Sequence, residues 1–147
     1  MMKTEIRYSW IYDVLLNKHD FGFPLEEYKG LQEKCKPFEE LYKKYIRKII
    51  KLIEGETKRK EWAYKFIPIY IVKVKPENED NKWKGFADPL TLKYIEDSTP
   101  ERMLKTLIHE LIHLNLDNEE QIKRGAEKNE EIVSALTDKV WGKLNIK

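Results

Sequence analysis

Two histidines four residues apart are the part of this sequence best suited to chemistry. His109 and His113 frame the pattern His-Glu-x-x-His, with Glu110 directly after the first histidine. On a helix, residues four apart lie on the same face, so both imidazoles can bind one metal ion. Zinc binds imidazole nitrogen and prefers a tetrahedral shell, and the pattern is typical of zinc-dependent peptidases. Glu110 then stands where a general base would take a proton from a zinc-activated water.

The residues around the motif predict the helix that carries it. Ser98 is the expected N-cap, Pro100 lies in the first turn, and Glu101 completes a capping box. The apolar residues that follow cover a wide face, so we expect a largely buried helix; they are Leu104, Leu107, Ile108, Leu111, Ile112 and Leu114. Buried histidines need polar partners, because an unpaired buried polar group costs about 1–3 kcal/mol. The structural alternative is a helix with two partly exposed histidines and a solvated Glu110.

A catalytic zinc site needs a third protein ligand and an open position for water. The remaining histidine, His19, and the single cysteine, Cys35, both lie far upstream, whereas several carboxylates follow the motif. A ligand on a separate packed helix is held better than one on a loop. Glu131 lies on such a predicted helix, and small residues three and four positions later allow close approach. We therefore expect Glu131 as the third metal ligand, with Glu130 as the alternative.

The other elements predict an α+β fold with a small sheet of about three strands. A helix is expected from about Pro37 to Glu54, with Gly55 at its end. Phe66 to Lys75 is rich in β-branched and aromatic residues and predicts the main strand. Residues 83–95 predict two short strands or one bent strand. After the motif we expect the chain to fray into a loop, and then a last helix over residues 126–143.

One predicted strand also suggests how a substrate would bind. An extended peptide can add a strand to an exposed sheet edge through backbone hydrogen bonds. Gly85, Phe86 and Ala87 are the candidate edge, because small residues leave room beside the backbone.

Composition and length limit the classes of protein that fit. The chain has 147 residues and a net charge of +2 from 28 basic and 26 acidic residues, which argues against nucleic acid as a partner. One cysteine excludes an internal disulfide framework and suits a reducing compartment. No apolar run is long enough for a membrane span, and the N-terminus lacks a signal-peptide core. We expect a cytoplasmic protein with an N-terminal extension over residues 1–36, packing on or covering a domain over residues 37–147.

The motif, together with a downstream glutamate ligand on a second helix, resembles the gluzincin metallopeptidases. Given the short chain, the closer resemblance is to the minigluzincins, the proabylysin and projannalysin group, over roughly residues 37–143. It rests on the helix ending near Gly55, the strand pair before Ser98, the His-Glu-x-x-His motif and the acidic helix at Glu131. One departure is Ala135, which stands four residues after Glu131 where larger gluzincins carry Asp.

The resemblance implies a zincin-like fold, in which a backing helix packs on a small sheet and a motif helix precedes a glutamate helix. It implies a Zn²⁺-dependent endopeptidase that hydrolyses peptide bonds in peptide or protein substrates. It also suggests a latent form, a zymogen, with the first 36 residues or the tail 142–147 in the cleft. The alternative function is a non-catalytic, zinc-stabilised scaffold that binds a peptide or partner, which a closed fourth metal position would distinguish.

Overall fold

A computed structural model describes residues 1–9, 25–73, 84–94 and 98–146. Within these ranges the chain forms four strands and five helices. In chain order they are β1 (Lys3–Arg7), α1 (Leu25–Lys34), α2 (Lys36–Thr57), β2 (Phe66–Val72), β3 (Gly85–Phe86), β4 (Thr91–Lys93), α3 (Pro100–Asn115), α4 (Asn118–Arg124) and α5 (Ala126–Leu144). The mixed α and β architecture confirms the predicted α+β class.

The four strands form one sheet in the order β1-β2-β4-β3. β1 and β4 run parallel to β2 on its two sides, and β3 runs antiparallel to β4 at the edge. The fourth strand, beyond the three expected, is β1, in which Lys3 to Arg7 pair with Phe66 to Tyr70. Its polar sequence gives little strand signal, and the pairing joins segments about sixty residues apart along the chain.

The described part of residues 1–36 is built into the same structure as the rest of the chain. β1 is an edge strand of the sheet, and the side chains of Leu31 and Cys35 are each 1% exposed within the main hydrophobic core. Residues 10–24, which include His19, lie outside the described ranges.

Helix α2 forms the backing layer of the core. Its inward residues recur at helical spacing and are buried; they are Phe38, Tyr42, Tyr45, Ile49, Ile50 and Ile53. Each such large apolar side chain contributes about 1.5–3 kcal/mol when it leaves water. The expected end at Gly55 was wrong, because the helix continues to Thr57. Lys58 then adopts a left-handed conformation (φ 57°), and its N–H donates to the carbonyl of Glu54.

Helix α3 carries the histidine motif through the middle of the core. Its N-cap is Thr99, one residue after the expected Ser98, and the Thr99 hydroxyl accepts a hydrogen bond from Arg102 N at 3.2 Å. The residue before a proline is disfavoured in the α region, so Thr99 stays extended and the helix begins at Pro100. Five of the six apolar residues predicted for the buried face are fully buried, namely Leu104, Leu107, Ile108, Leu111 and Ile112.

The C-terminal end of α3 is tied to the segment that follows α2. Arg59 Nε donates to the carbonyl of Asn115 at 2.9 Å, and Asn115 Nδ2 donates to the carbonyl of Arg59 at 3.1 Å. This reciprocal pair holds the C-terminal end of α3, the helix of the two histidines, against that segment.

After α3 the chain forms a short helix where a loop was expected. Asp117 caps α4 by accepting a hydrogen bond from Glu120 N at 3.1 Å. α5 then packs against both α2 and α3. Its C-terminal end is held on α2, since Lys48 Nζ donates to the carbonyl of Leu144 and Lys143 pairs with Glu56. None of the helices in the described ranges is both long and apolar enough to cross a membrane.

Candidate metal centre

The two motif histidines lie one above the other on α3, as their spacing predicted. Their ring centroids are 5.0 Å apart and the ring planes meet at 70°. The side chains are 22% exposed for His109 and 16% for His113. Both border a cavity of about 850 Å³. The pair is therefore partly desolvated and still reachable from solvent.

The carboxylate that meets this pair belongs to Glu130 of α5. Its Oε2 lies 3.0 Å from Nε2 of His109, and its Oε1 lies 2.8 Å from Nε2 of His113. The three residues each offer one ligand atom, and these atoms all lie within 4.8 Å of one another. This is the only such group of three or more metal-ligating side chains in the described ranges.

Glu131, the expected ligand, is exposed and does not belong to this group. Consecutive residues of a helix are turned by about 100° from each other, so neighbours in sequence face different surroundings. Asn129, Val133 and Thr137 form the buried side of α5. Glu130 lies seven residues before Thr137 and shares its face; its side chain is 55% exposed but reaches the histidines, whereas Glu131 has no contact with them. The alternative named from the sequence, Glu130, is the residue that the fold brings to the histidines.

Both histidines have a second contact through the other ring nitrogen. Nδ1 of His113 lies 2.8 Å from Oε1 of Gln121, on α4. Nδ1 of His109 lies 3.4 Å from the hydroxyl oxygen of Thr137, and that hydroxyl donates to the carbonyl of Val133 at 2.7 Å. The hydroxyl hydrogen is thus already used, which leaves the Thr137 oxygen as an acceptor. These contacts leave Nε2 of each ring facing Glu130.

Sequence reasoning did not find Gln121 or Thr137. The sequence spacing could have indicated Thr137, because it lies seven residues after Glu130 and therefore on the same helix face. No sequence pattern indicates Gln121, since its approach to His113 depends on how α4 turns back against α3.

Burial changes the acid–base properties of the site. Burial lowers the pKa of His109, although the neighbouring Glu130 opposes part of this shift. For Glu110, which is 8% exposed, burial raises the pKa to about 7. His113 counteracts that shift and Glu130 adds to it. The site therefore favours a neutral imidazole at His109, which is the form that binds metal, and a carboxyl at Glu110 that exchanges a proton near neutral pH.

The Glu110 side chain faces the same cavity as the histidine pair. Within the described ranges its carboxyl has no hydrogen-bond partner. A buried carboxyl without a protein donor is available to a water molecule or a substrate group in the cavity.

The predicted sheet edge passes directly beside Glu110. β3 covers Gly85 and Phe86, is the last strand in the sheet order, and lies against α3, while Ala87 is in the turn that follows. A Cβ at Gly85 would come within 2.9 Å of the carbonyl oxygen of Thr91 and 3.3 Å of Cγ of Glu110. The absence of a side chain at Gly85 therefore lets strand and helix approach closely.

The terminal tail lies away from this cavity. The described tail residues, 142–146, are not among those that line it, and Leu144 is buried against the core instead.

The donor set fits a zinc ion. Around a tetrahedral zinc with bonds of about 2.0–2.1 Å, neighbouring ligand atoms stand about 3.3 Å apart. The observed separations from Glu130 to the histidines are 2.8 and 3.0 Å, through different carboxylate oxygens, and the three ligand atoms all lie within 4.8 Å of one another, so the side chains would rearrange to form the shell. Two imidazoles and one carboxylate are also a known catalytic zinc set, which leaves the fourth position for water.

Comparisons of the chain with models of known protein families, with curated proteins and with solved structures find no match.

Proposed function

We propose that this protein is a zinc-dependent endopeptidase with a zincin-like, minigluzincin-type architecture. His109, His113 and Glu130 would hold the metal, and Glu110 would act as the general base. The observation that carries the proposal is the Glu130 carboxylate, which reaches from α5 to Nε2 of both histidines on α3. Three ligand atoms from two packed helices converge there, beside a carboxyl that faces a cavity.

The protein's own groups account for binding and proton transfer. When bound, zinc supplies a Lewis acid that polarises the peptide carbonyl and lowers the pKa of the attacking water. Glu110 accepts a proton as this water attacks, and it then passes the proton to the leaving amine. Burial raises the pKa of Glu110 in the metal-free protein, and a raised pKa makes the carboxylate a better proton acceptor than an exposed glutamate.

The sheet edge supports an extended peptide as the substrate. Among the described residues β3 pairs with a strand only on its β4 side, so its outer backbone groups are available for strand addition. Gly85 lies against Glu110, and a peptide paired with β3 would therefore pass close to the base. The proposed substrate is a peptide or an unfolded protein segment, bound through its backbone.

The proposal also includes a reducing environment and addresses the latent form. Cys35 is a free and buried thiol, which agrees with a reducing, cytoplasmic environment. The described residues 142–146 do not line the cavity and are held near α2, so they do not support the tail as a blocking segment. A latent form would need to be covered by another part of the chain.

Metal analysis combined with a protease assay tests the proposal. The full chain is stripped with a chelator, reloaded with zinc, and measured for zinc content and for cleavage of an unfolded protein such as casein. We expect about one zinc per chain, and cleavage by the wild type but not by Glu110→Gln. Zinc without cleavage would instead favour the non-catalytic scaffold, and a chain that takes up no zinc would contradict both functions.

A further inference from the structure

Gln121 connects α4 to both helices of the metal centre. Its Oε1 lies 2.8 Å from Nδ1 of His113 and 3.0 Å from Nδ2 of Asn129. Its amide nitrogen donates to the backbone carbonyls of His113 at 2.8 Å and of Leu116 at 3.4 Å. Backbone carbonyls only accept, so the NH₂ group must face them. The amide therefore has one orientation, with its carbonyl oxygen toward His113.

This orientation selects one form of the His113 ring. An amide oxygen accepts and cannot donate, so Nδ1 of His113 must carry a hydrogen. A neutral imidazole has one such hydrogen, and placing it on Nδ1 leaves the lone pair on Nε2. Nε2 is the atom that faces Glu130.

We propose that Gln121 is a positioning residue, which holds His113 in the tautomer whose Nε2 is free to bind the metal. This assignment rests on the proposed zinc function. Hydrogen-bond acceptors behind metal-binding histidines fix the ring orientation and raise the basicity of the ligand. Gln121 contacts the ligand His113 directly. It also contacts Asn129, the residue before the ligand Glu130.

That neighbour, Asn129, is buried and precedes Glu130 on α5. Its Oδ1 accepts a hydrogen bond from Arg124 at 3.2 Å, which leaves its Nδ2 to donate to Gln121. The contacts of Gln121 therefore join α3, α4 and the start of α5. They link the helix that carries the histidines to the helix that carries the glutamate ligand.

Two substitutions separate positioning from simple structural support. Gln121→Leu removes both the acceptor for His113 and the donor to the carbonyls at the end of α3. Gln121→Glu keeps an acceptor oxygen for His113 but loses that donor. A merely structural role predicts that both variants are damaged alike, whereas a positioning role predicts that the glutamate variant keeps the function.

The first measurement is the tautomer of His113 in the metal-free full chain, read from its ¹⁵N NMR shifts at pH 9 in the presence of a chelator. We expect the hydrogen on Nδ1 in the wild type and in Gln121→Glu, and a loss of that preference in Gln121→Leu. A wild-type His113 with its hydrogen on Nε2 overturns the assignment, whether or not the leucine variant folds.

The second measurement is zinc affinity, by competition with a chromophoric chelator. We expect Gln121→Leu to bind about 10–100-fold more weakly than the wild type, and Gln121→Glu to stay within a few-fold of it. Equal loss in both variants, or no loss in the leucine variant, overturns the inference. A wild type that does not bind zinc contradicts the proposed function instead, and the tautomer measurement then decides the role of Gln121 alone.

Discussion

Nε2 of His113 and Oε1 of Glu130 lie 2.8 Å apart, although in the arrangement around them both atoms are acceptors. The hydrogen on Nδ1 is directed to Gln121, so a neutral His113 has none left for Glu130. Two acceptors at this distance need a proton or a cation between them. A zinc ion at the proposed site would supply that cation.

Zinc binding should release protons at mildly acid pH. We expect an apparent affinity that rises with pH, because histidine and carboxylate ligands bind a metal in their deprotonated forms. Calorimetric titrations in two buffers with different ionisation enthalpies measure the number released. An apparent affinity that does not rise with pH in the acid range would contradict binding through the two imidazoles and the carboxylate.

Substitution of two adjacent glutamates, one at a time, tests the identity of the third ligand. Glu130→Gln removes the charge of a metal ligand. We expect zinc affinity to fall by at least about 100-fold, because losing a residue that only contacts a ligand already lowers metal affinity by up to about 100-fold. Glu131→Gln is the matched control and should bind zinc like the wild type, because that side chain is exposed and outside the cluster. Competition titrations compare the two, and the opposite ranking would restore Glu131 as the ligand.

The role of Glu110 is tested by separating binding from cleavage. Glu110→Gln keeps the size of the side chain and should retain the metal. We expect proteolysis to fall by about 10²–10⁴-fold, which is the usual contribution of a positioned general base. Zinc content and the rate of casein cleavage are measured on the same preparation. A glutamine variant as active as the wild type would remove Glu110 from the mechanism.

Glu110 should also give the metal-free protein a characteristic pH dependence of stability. Burial raises its pKa from 4.5 to about 7, so between these values the folded state binds more protons than the unfolded state. The free energy of unfolding therefore falls as pH rises through this window, by about 3 kcal/mol in total.

The difference in unfolding free energy between the wild type and Glu110→Gln isolates this effect, since the other titrating groups are shared. Denaturant unfolding with a chelator present, at pH 4 to 8, measures it. A difference that stays constant across that range would mean that Glu110 titrates normally.

Gly85 provides a test of the close approach between β3 and α3. In Gly85→Ala the new Cβ would stand 2.9 Å from the backbone oxygen of Thr91, and backbone yields less easily than a flexible side chain. We expect a loss of about 1–3 kcal/mol in unfolding free energy, and lower activity because Glu110 is displaced.

Gly55→Ala is the matched control, because a Cβ there meets nothing within 4 Å and the residue lies in α2. It should raise the unfolding free energy by about 0.5–1 kcal/mol. Denaturant unfolding compares both variants with the wild type. If Gly85→Ala is as stable as Gly55→Ala, the strand has room to move away from the helix.

The sequence determined the parts of this protein that depend on local periodicity. Two histidines at i and i+4 must share a helix face, and the proline and apolar residues around them predict where that helix begins and which side is buried. The amphipathic pattern of α2 and the β-branched run of β2 are local for the same reason. The predicted boundaries were off by one residue at Ser98 and by three at the end of α2, where Thr57 and not Glu54 is the last helical residue, since capping depends on backbone angles that the residue types only favour.

The tertiary structure decided which carboxylate meets the histidines. Glu130 and Glu131 are neighbours in sequence, but they point about 100° apart on a helix. The rotation of α5 is set by the packing of its buried residues against α2 and α3, and that packing turns Glu130 toward the pair. The contact of Gln121 with His113 and the pairing of β1 with β2 are of the same kind. Each joins segments whose meeting depends on the whole fold, because no local pattern in the chain encodes the relative orientation of packed elements.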